Sequence, residues 1–226
     1  MIAYSIIQKS QLEGADRLDA EYYQPEYLSV IQKISRCQNI VLLQKISTIK
    51  TGPAYSSEEM GDTLDYPLAR IGDVVAKTEF DSWFSISKKE FQKFGERRIN
   101  DLDILMTMTG DPPDVGKCNI IRVTKGEILA FNQRVAKLTP KINPYYLFAY
   151  LSTNTARLQS ERNALGIRQR NLGIEDLRDT VVALFPLEKV SQIESLIKDY
   201  LGELEESSFV FTSRKFAFGG VGIKRF

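Results

Sequence analysis

The stretch "LDILMTMTGDPPDVGKCNII", residues 102–121, decides the fold. An apolar run ends in Thr109-Gly110, a polar segment with Pro112, Pro113 and Gly116 follows, and a second β-prone run starts at Cys118. Proline fixes φ and glycine adopts conformations closed to other residues, so the segment predicts strand, tight turn, strand. Two enzyme signatures overlap it, and both fail. An Asp-Pro-Pro-aromatic motif of amino-methyltransferases needs an aromatic face for an extruded base, and Asp114 occupies that position. "FGGVG" at 218–222 imitates a cofactor loop, but only four residues follow it, too few for the helix required next. A phosphate-binding loop needs four residues between its first glycine and Gly-Lys, then Ser or Thr. Here five residues separate Gly110 from Gly116, and Cys118 follows Lys117.

Outward from this hairpin the same pattern recurs. "IVLLQKISTIKTG", "YPLARIGDVV", "DSWFSI", "EILAF" and "RVAKLTP" are short β-prone runs divided by turn residues. They predict an α+β fold with a twisted, mostly antiparallel sheet of short strands plus helices. Pro25 followed by Tyr27, Leu28, Ile31 and Ile34 predicts a helix over about 24–36. After Pro144, "YYLFAYLSTNTARLQSERNA" reads as helical, and "LRDTVVALFPL" as a short strand closed by Pro186. Residues 1–185 form one domain in this reading, and 186–208 a long helix. Its Val190, Ile193, Ile197, Tyr200 and Leu204 alternate steps of three and four, as in a seam between two helices. A helix packed on its own domain would show the same stripe. The tail, 209–226, is aromatic and glycine-rich and takes no assigned role.

Composition excludes several chemistries. With 43% hydrophobic and 26% charged residues, the 226-residue chain builds an ordinary core. It has no histidine, which removes Ser-His-Asp and Cys-His catalysis and the usual zinc-site spacings. Cys37 and Cys118 are expected to be buried small hydrophobes, and neither a metal nor a cofactor is expected. No run is long and apolar enough for a bilayer, so no membrane association and a cytoplasmic location are expected. The net charge of +1 hides an uneven distribution. Lys117, Arg122, Lys125, Arg134 and Lys137 face Glu127 alone, whereas 187–206 carries six acids against Lys189 and Lys198. One face for a polyanion and another for a protein fits this asymmetry, as would plain solvated surfaces.

The ordered set of segments resembles the target recognition domain of specificity (S) subunits in type I restriction-modification enzymes. The hairpin of 102–121 is similar to a recurrent strand-turn-strand of that family, with Asp103 in place of its usual Gly-Asp acid. "RLDAEYYQPEY", "ISTIKTGPAY", "YPLARIGDVV", "FNQRVAKLTP", "NPYYLFAYLST" and "GIRQRNLGIEDLRDTVVALFPLEKVSQIESLI" follow in the family's order over about residues 17–205. Gln192 lies two positions later than the commonest family spacing. The resemblance implies a non-catalytic DNA-recognition subunit that binds double-stranded DNA and reads one half of a bipartite site. It also implies docking to methyltransferase (modification) subunits and, through them, a restriction subunit. S subunits usually hold two recognition domains and two long helices, and this chain has one of each. That implies a half-subunit acting as a homodimer or paired with a second half. Recognition for a fused methylase-nuclease and a helix-mediated protein-interaction module without DNA function are the alternatives.

Base edges are read by Arg or Lys at guanine and Asn or Gln at adenine, while Lys, Arg, Ser, Thr and Tyr hold phosphates. Three loops are rich in both kinds: Lys50, Thr51, Tyr55 and Ser56; Lys88, Lys89, Lys93, Arg97 and Arg98; and Arg168, Gln169, Arg170 and Asn171. The last loop serves equally well as scaffold beside the helix. Arg70 and Asp103 fit structural roles, as does Trp83 in packing.

Overall fold

The computed structural model describes residues 4–8, 12, 19–77, 80–94, 97–111, 114–123, 126–166 and 169–213, and for 203–213 only the helical backbone. Pro112 and Pro113, Arg168 and the tail from 214 lie outside them, as does the side chain of Leu204.

The chain forms α1 (Pro25–Ser35), β1 (Ile40–Leu42), the single turn α2 (Leu43–Ile46) and β2 (Ser47–Thr51). Next come β3 (Met60–Gly61), β4 (Tyr66–Ala69), α3 (Ile71–Ala76), β5 (Ser85–Ile86) and α4 (Lys88–Lys93). The hairpin follows as β6 (Ile104–Thr107), β7 (Thr109–Gly110) and β8 (Cys118–Ile120), then β9 (Ala130–Phe131) and β10 (Val135–Pro140). Last are α5 (Pro144–Leu151), α6 (Asn154–Asn163), β11 (Arg170–Asn171), α7 (Ile174–Arg178), β12 (Val181–Ala183) and α8 (Leu187–Ser213).

The central sheet runs β2-β10-β6-β8, antiparallel throughout. A second sheet runs β3-β5-β4-β9, in which β4 and β9 are parallel. One face of the central sheet carries Ile49, Ile104, Met106, Ala136 and Leu138 into a core completed by α5 and by Ile197 and Leu201 of α8. The opposite face carries Leu105 and Val135 into a core with Phe131, Ile99 and Trp83, which closes edge-on against Phe80. Trp83 is thus a packing residue. On α1, Tyr27, Val30 and Ile34 bury against Leu158 of α6, each worth about 1.5–3 kcal/mol. β1 pairs with β12 from Ile40↔Ala183 to Leu42↔Val181, so the domain's entry and exit strands lie side by side.

The hairpin of 102–121 is present, closed by Gly116 at φ +82°. A Cβ there would stand 2.7 Å from the Ser160 Cβ, so glycine also lets α6 approach. Thr107 Oγ1 donates to the Asp114 carbonyl and to that of Lys117 (3.2 Å), tying the turn to the strand.

Several elements differ from expectation for local reasons. "YPLARIGDVV" is a strand only to Ala69, because the Asp73 carboxylate accepts from the Arg70 N–H (2.9 Å) and starts α3. Arg70 pairs with that carboxylate and stacks on Phe84 (3.8 Å to the ring centroid). Lys88, Lys89 and Lys93 belong to a helix rather than a loop, capped by Ser87, which accepts from the Glu90 N–H (3.2 Å). The run after Pro144 is two helices, since the Thr153 hydroxyl caps α6 (3.3 Å to the Ala156 N–H) directly after α5. Cys118 is buried, its thiol pushed up to about 11 by burial, whereas Cys37 is exposed, against the expectation for both cysteines.

Candidate nucleic-acid interface

Lys50 is built into β2, directly across from Lys137 of β10. Two like charges facing each other across a ladder repel. Lys137 turns inward to the Asp103 carboxylate (3.1 Å) and the Arg98 carbonyl (2.9 Å), so Lys50 alone stays exposed. One strand pair thus supplies one structural and one surface cation.

At the end of β2, Arg97 donates to the Thr51 carbonyl (2.6 Å), and the Tyr55 ring meets Phe94 edge-on at 5.6 Å. Lys93 bridges Glu59 and Glu90, each at 3.1 Å. These contacts bring two of the three sequence-predicted segments, 50–56 and 88–98, into one surface. Lys88, Lys89 and Arg98 are exposed beside them. Burial pushes the Tyr55 phenol up to about 12 against the opposing pull of Arg97, so its hydroxyl is a neutral donor at physiological pH. The Ser56 N–H (2.8 Å), then Lys93, holds the Glu59 carboxyl down to about 2. That depressed value means the contact stabilises the loop above the ordinary carboxyl value of 4.5 and is lost as pH falls through about 2. Hydrogen exchange of the Ser56 amide is expected to stay slow from pH 6 to 4 and to accelerate relative to the surrounding amides approaching pH 2. In Glu59→Gln this pH-dependent change is expected to vanish.

The third predicted segment divides. Arg168 lies outside the described residues, and Gln169 is exposed. Arg170 turns toward the helices, donating to the Glu161 carbonyl (3.0 Å) and to the Tyr27 hydroxyl (3.4 Å). Asn171 stays exposed next to β7, where its Oδ1 accepts from the Thr109 hydroxyl (2.9 Å). The structure therefore places Arg170 as a brace between α1, α6 and β11 and leaves Asn171 at the sheet end.

A segment read in the sequence as a family strand, with Arg134 in a basic run but not among the DNA-contact candidates, joins the two surfaces. The turn Asn132-Gln133-Arg134 enters β10 with its backbone fixed from several sides. Asn132 N–H donates to Ala69 (3.1 Å), its Oδ1 accepts from the Arg134 N–H (3.0 Å), and Met108 N–H donates to the Arg134 carbonyl (2.9 Å). Gly52 lies against the same turn, leaving no room for a side chain. The sequence held a signal, three consecutive residues of base-reading type between two apolar runs.

Of the stripe expected on α8, Ile197 packs on the chain's own core, while Val190 and Ile193 are half-buried. Asn143 Nδ2 donates to Glu194 (2.7 Å), and Lys198 pairs with Glu194 (2.6 Å) over the Tyr145 ring, fastening the helix to α5. Tyr200 is 45% exposed, and Leu196, off the expected stripe, is 68% exposed. The apolar face is thus shared between the domain and the surface. No helix among the described residues is long and apolar enough to cross a membrane.

Among solved structures, the type I S subunit from M. genitalium superposes with a TM-score of 0.56 at 15% identity, over 80% of this chain and 44% of that one. The HsdS subunit of Thermoanaerobacter tengcongensis gives 0.51 at 15% identity, over 80% and 44%. The type IIG restriction endonuclease BpuSI gives 0.53 at 9% identity, over 85% of this chain and 30% of that one. The chain thus spans under half the length of these structures, and the likeness is one of fold. No curated protein sequence matches it. Residues 39–208 match the family model described as the type I restriction modification DNA specificity domain. That match takes in the central sheet, the hairpin and the start of the long helix, and by it the chain belongs to this family.

Proposed function

We propose that the chain is a non-catalytic recognition unit that binds double-stranded DNA with the end of its central sheet and reads one half of a bipartite site. The observation that carries this reading is the run of cations and amides there: Lys50, Lys88, Lys89, Arg97 and Arg98 beside Thr51, Tyr55 and Ser56, continuing to Gln169 and Asn171. Lys93 is exposed with its ammonium paired to Glu59 and Glu90, and Arg170 supports the surface from behind. In this reading the exposed part of α8, with Leu196 and Tyr200 beside the half-buried Ile193, receives a second half-subunit, and methyltransferase subunits dock alongside. The acidic excess of that helix favours a protein neighbour over DNA. Recognition for a fused methylase-nuclease is the competing reading, and the likeness to the type IIG restriction endonuclease BpuSI is one of fold.

Five cations engaging phosphates give a slope of about −4.5 in log affinity against log salt. Titration of a random duplex with the chain from 50 to 200 mM salt is expected to show a slope between about −3.5 and −5.5. A slope near zero would remove the DNA reading and leave a protein-interaction module. Selection from a random pool is expected to enrich a short motif, repeated in inverted orientation where two copies pair.

A further inference from the structure

We propose that Gln133 and Arg134 are the base-reading pair of this chain, with Arg134 directed to a guanine and Gln133 to an adenine of the half-site. The inference rests on the DNA-recognition reading above and deepens it by separating the side chains that read sequence from those that hold phosphate.

Reading a base edge demands more of a side chain than holding a phosphate. The backbone that carries it must be fixed, the side chain must be unoccupied, and its chemistry must match one edge of one base. Among the described residues the turn at 132–134 meets all three conditions. Four hydrogen bonds fix its backbone: Asn132 N–H to Ala69, Arg134 N–H to the Asn132 side chain, Val135 N–H to the Asn132 carbonyl (3.1 Å), and Met108 N–H to the Arg134 carbonyl. These bonds engage β4, β10 and Met108 between β6 and β7, so both sheets hold the turn. Gln133 and Arg134 are nevertheless exposed, and neither side chain has a hydrogen-bond or ion-pair partner among the described residues. Of the other candidates, Lys93 and Arg170 are occupied, Arg97 is hydrogen-bonded to Thr51, and Asn171 has given its oxygen to Thr109.

Position supports the same division of labour. Through Gly52 the turn adjoins the Thr51–Arg97 edge, and through Met108 it adjoins Thr109 and Asn171. It therefore lies between the lysine-rich edge and the amide-rich edge. Phosphates engaged by Lys50, Lys88, Lys89, Arg97 and Arg98 would set the register, and the turn would meet the groove between them. An arginine offers paired donors to the O6 and N7 of guanine, and a carboxamide offers a donor and an acceptor to the N6 and N7 of adenine.

The test compares the full-length chain with Arg134→Ala, Arg134→Lys, Gln133→Ala and Lys50→Ala, each selected against a random duplex pool and then titrated on the enriched site and on a scrambled one. The wild-type chain is expected to enrich a motif containing a guanine and an adenine. Arg134→Ala is expected to relax the guanine position to any base and Gln133→Ala the adenine position, each lowering discrimination about 5- to 150-fold while binding to the scrambled site persists. Arg134→Lys is expected to retain part of the guanine preference. Lys50→Ala is expected to weaken both sites equally and flatten the salt slope by about 1, with the motif intact. If the wild type enriches a motif and both alanine variants return it unchanged, the assignment falls while DNA recognition stands. Equal weakening of both sites by Arg134→Ala would make Arg134 a phosphate contact and overturn its half of the proposal. A wild-type chain that enriches nothing would sink the recognition reading itself. Neither side chain has a partner among the described residues, so circular dichroism and melting of the variants are expected to match wild type.

Discussion

Gly52→Ala is expected to destabilise the chain by about 3 kcal/mol or more, the upper part of the range for forcing atoms into a packed site. An added Cβ would stand 2.0 Å from the Phe131 carbonyl oxygen and 2.5 Å from that of Asn132. Both obstacles are backbone, so no rotamer change relieves them. The strand end must separate from the turn at 132–134, which strains the bonds to Ala69 and Met108 as well. For a chain of this size about 3 kcal/mol corresponds to a melting shift of about 6–12 °C. Calorimetry of Gly52→Ala against Gly72→Ala provides the check, because a Cβ at Gly72 meets nothing within 4 Å. Gly72→Ala is expected to melt with wild type or slightly above it. A Gly52→Ala protein that melts within a degree of wild type would mean that strand and turn are not in the contact described.

Asp103→Ala is expected to cost about 3–5 kcal/mol, the usual penalty for stripping one partner from a buried ion pair. Asp103 is 1% exposed and accepts three donors: Lys137 Nζ (3.1 Å), the Thr139 hydroxyl (2.6 Å) and the Asn100 N–H (2.7 Å). The last of these closes a turn in which Leu102 is held at φ +64°, a conformation a leucine avoids without support. Removing the carboxylate leaves the Lys137 charge in a site 8% exposed, with the Arg98 carbonyl and the Phe131 ring, 6.0 Å away, in place of an anion. Asp103→Leu combined with Lys137→Met removes both charges and is expected to be less destabilised than Asp103→Ala. Urea unfolding of the set measures the difference. A double variant no more stable than Asp103→Ala would show that the turn, rather than the buried charge, carries the cost. The family-type acid at 103 is thus accounted for by the scaffold.

The parts of the fold legible in the sequence were those fixed by neighbours a few residues away. Pro25 and Pro144 each take the first position of a helix, where proline's fixed φ fits, and Thr109-Gly110 through Gly116 closes its hairpin locally. The ordered motifs did more than any one of them, because each occupies a fixed place around one sheet. Features decided by distant partners were not legible. Arg170 looks like a surface cation until α1, 143 residues earlier in the chain, brings Tyr27 beside it. Val74 and Val75 were misread for a local reason instead: they favour a strand, yet the Asp73 carboxylate on the Arg70 N–H makes them helical. The segment 88–93 shows a single buried apolar residue, Phe91, too little periodicity to distinguish a helix from a polar loop. Ile197 belongs to a stripe that reads as a seam, and the approach of α5 determined which side of the stripe stayed free. The turn at 132–134 was read as the start of a family strand and not as a DNA contact because its setting is apolar, although its residue types matched the criterion applied elsewhere.

The side-by-side pairing of β1 with β12 bears on inheritance. Entry and exit close on each other at Ile40↔Ala183, and the five residues of β2, about 17 Å of strand, separate them from Gly52 and the turn it supports. Substitutions at the far end therefore leave the junction with the long helix unaltered. A lineage can revise the far end while keeping the junction, and a foreign sequence grafted between those two strands would arrive already aligned with the helix that follows.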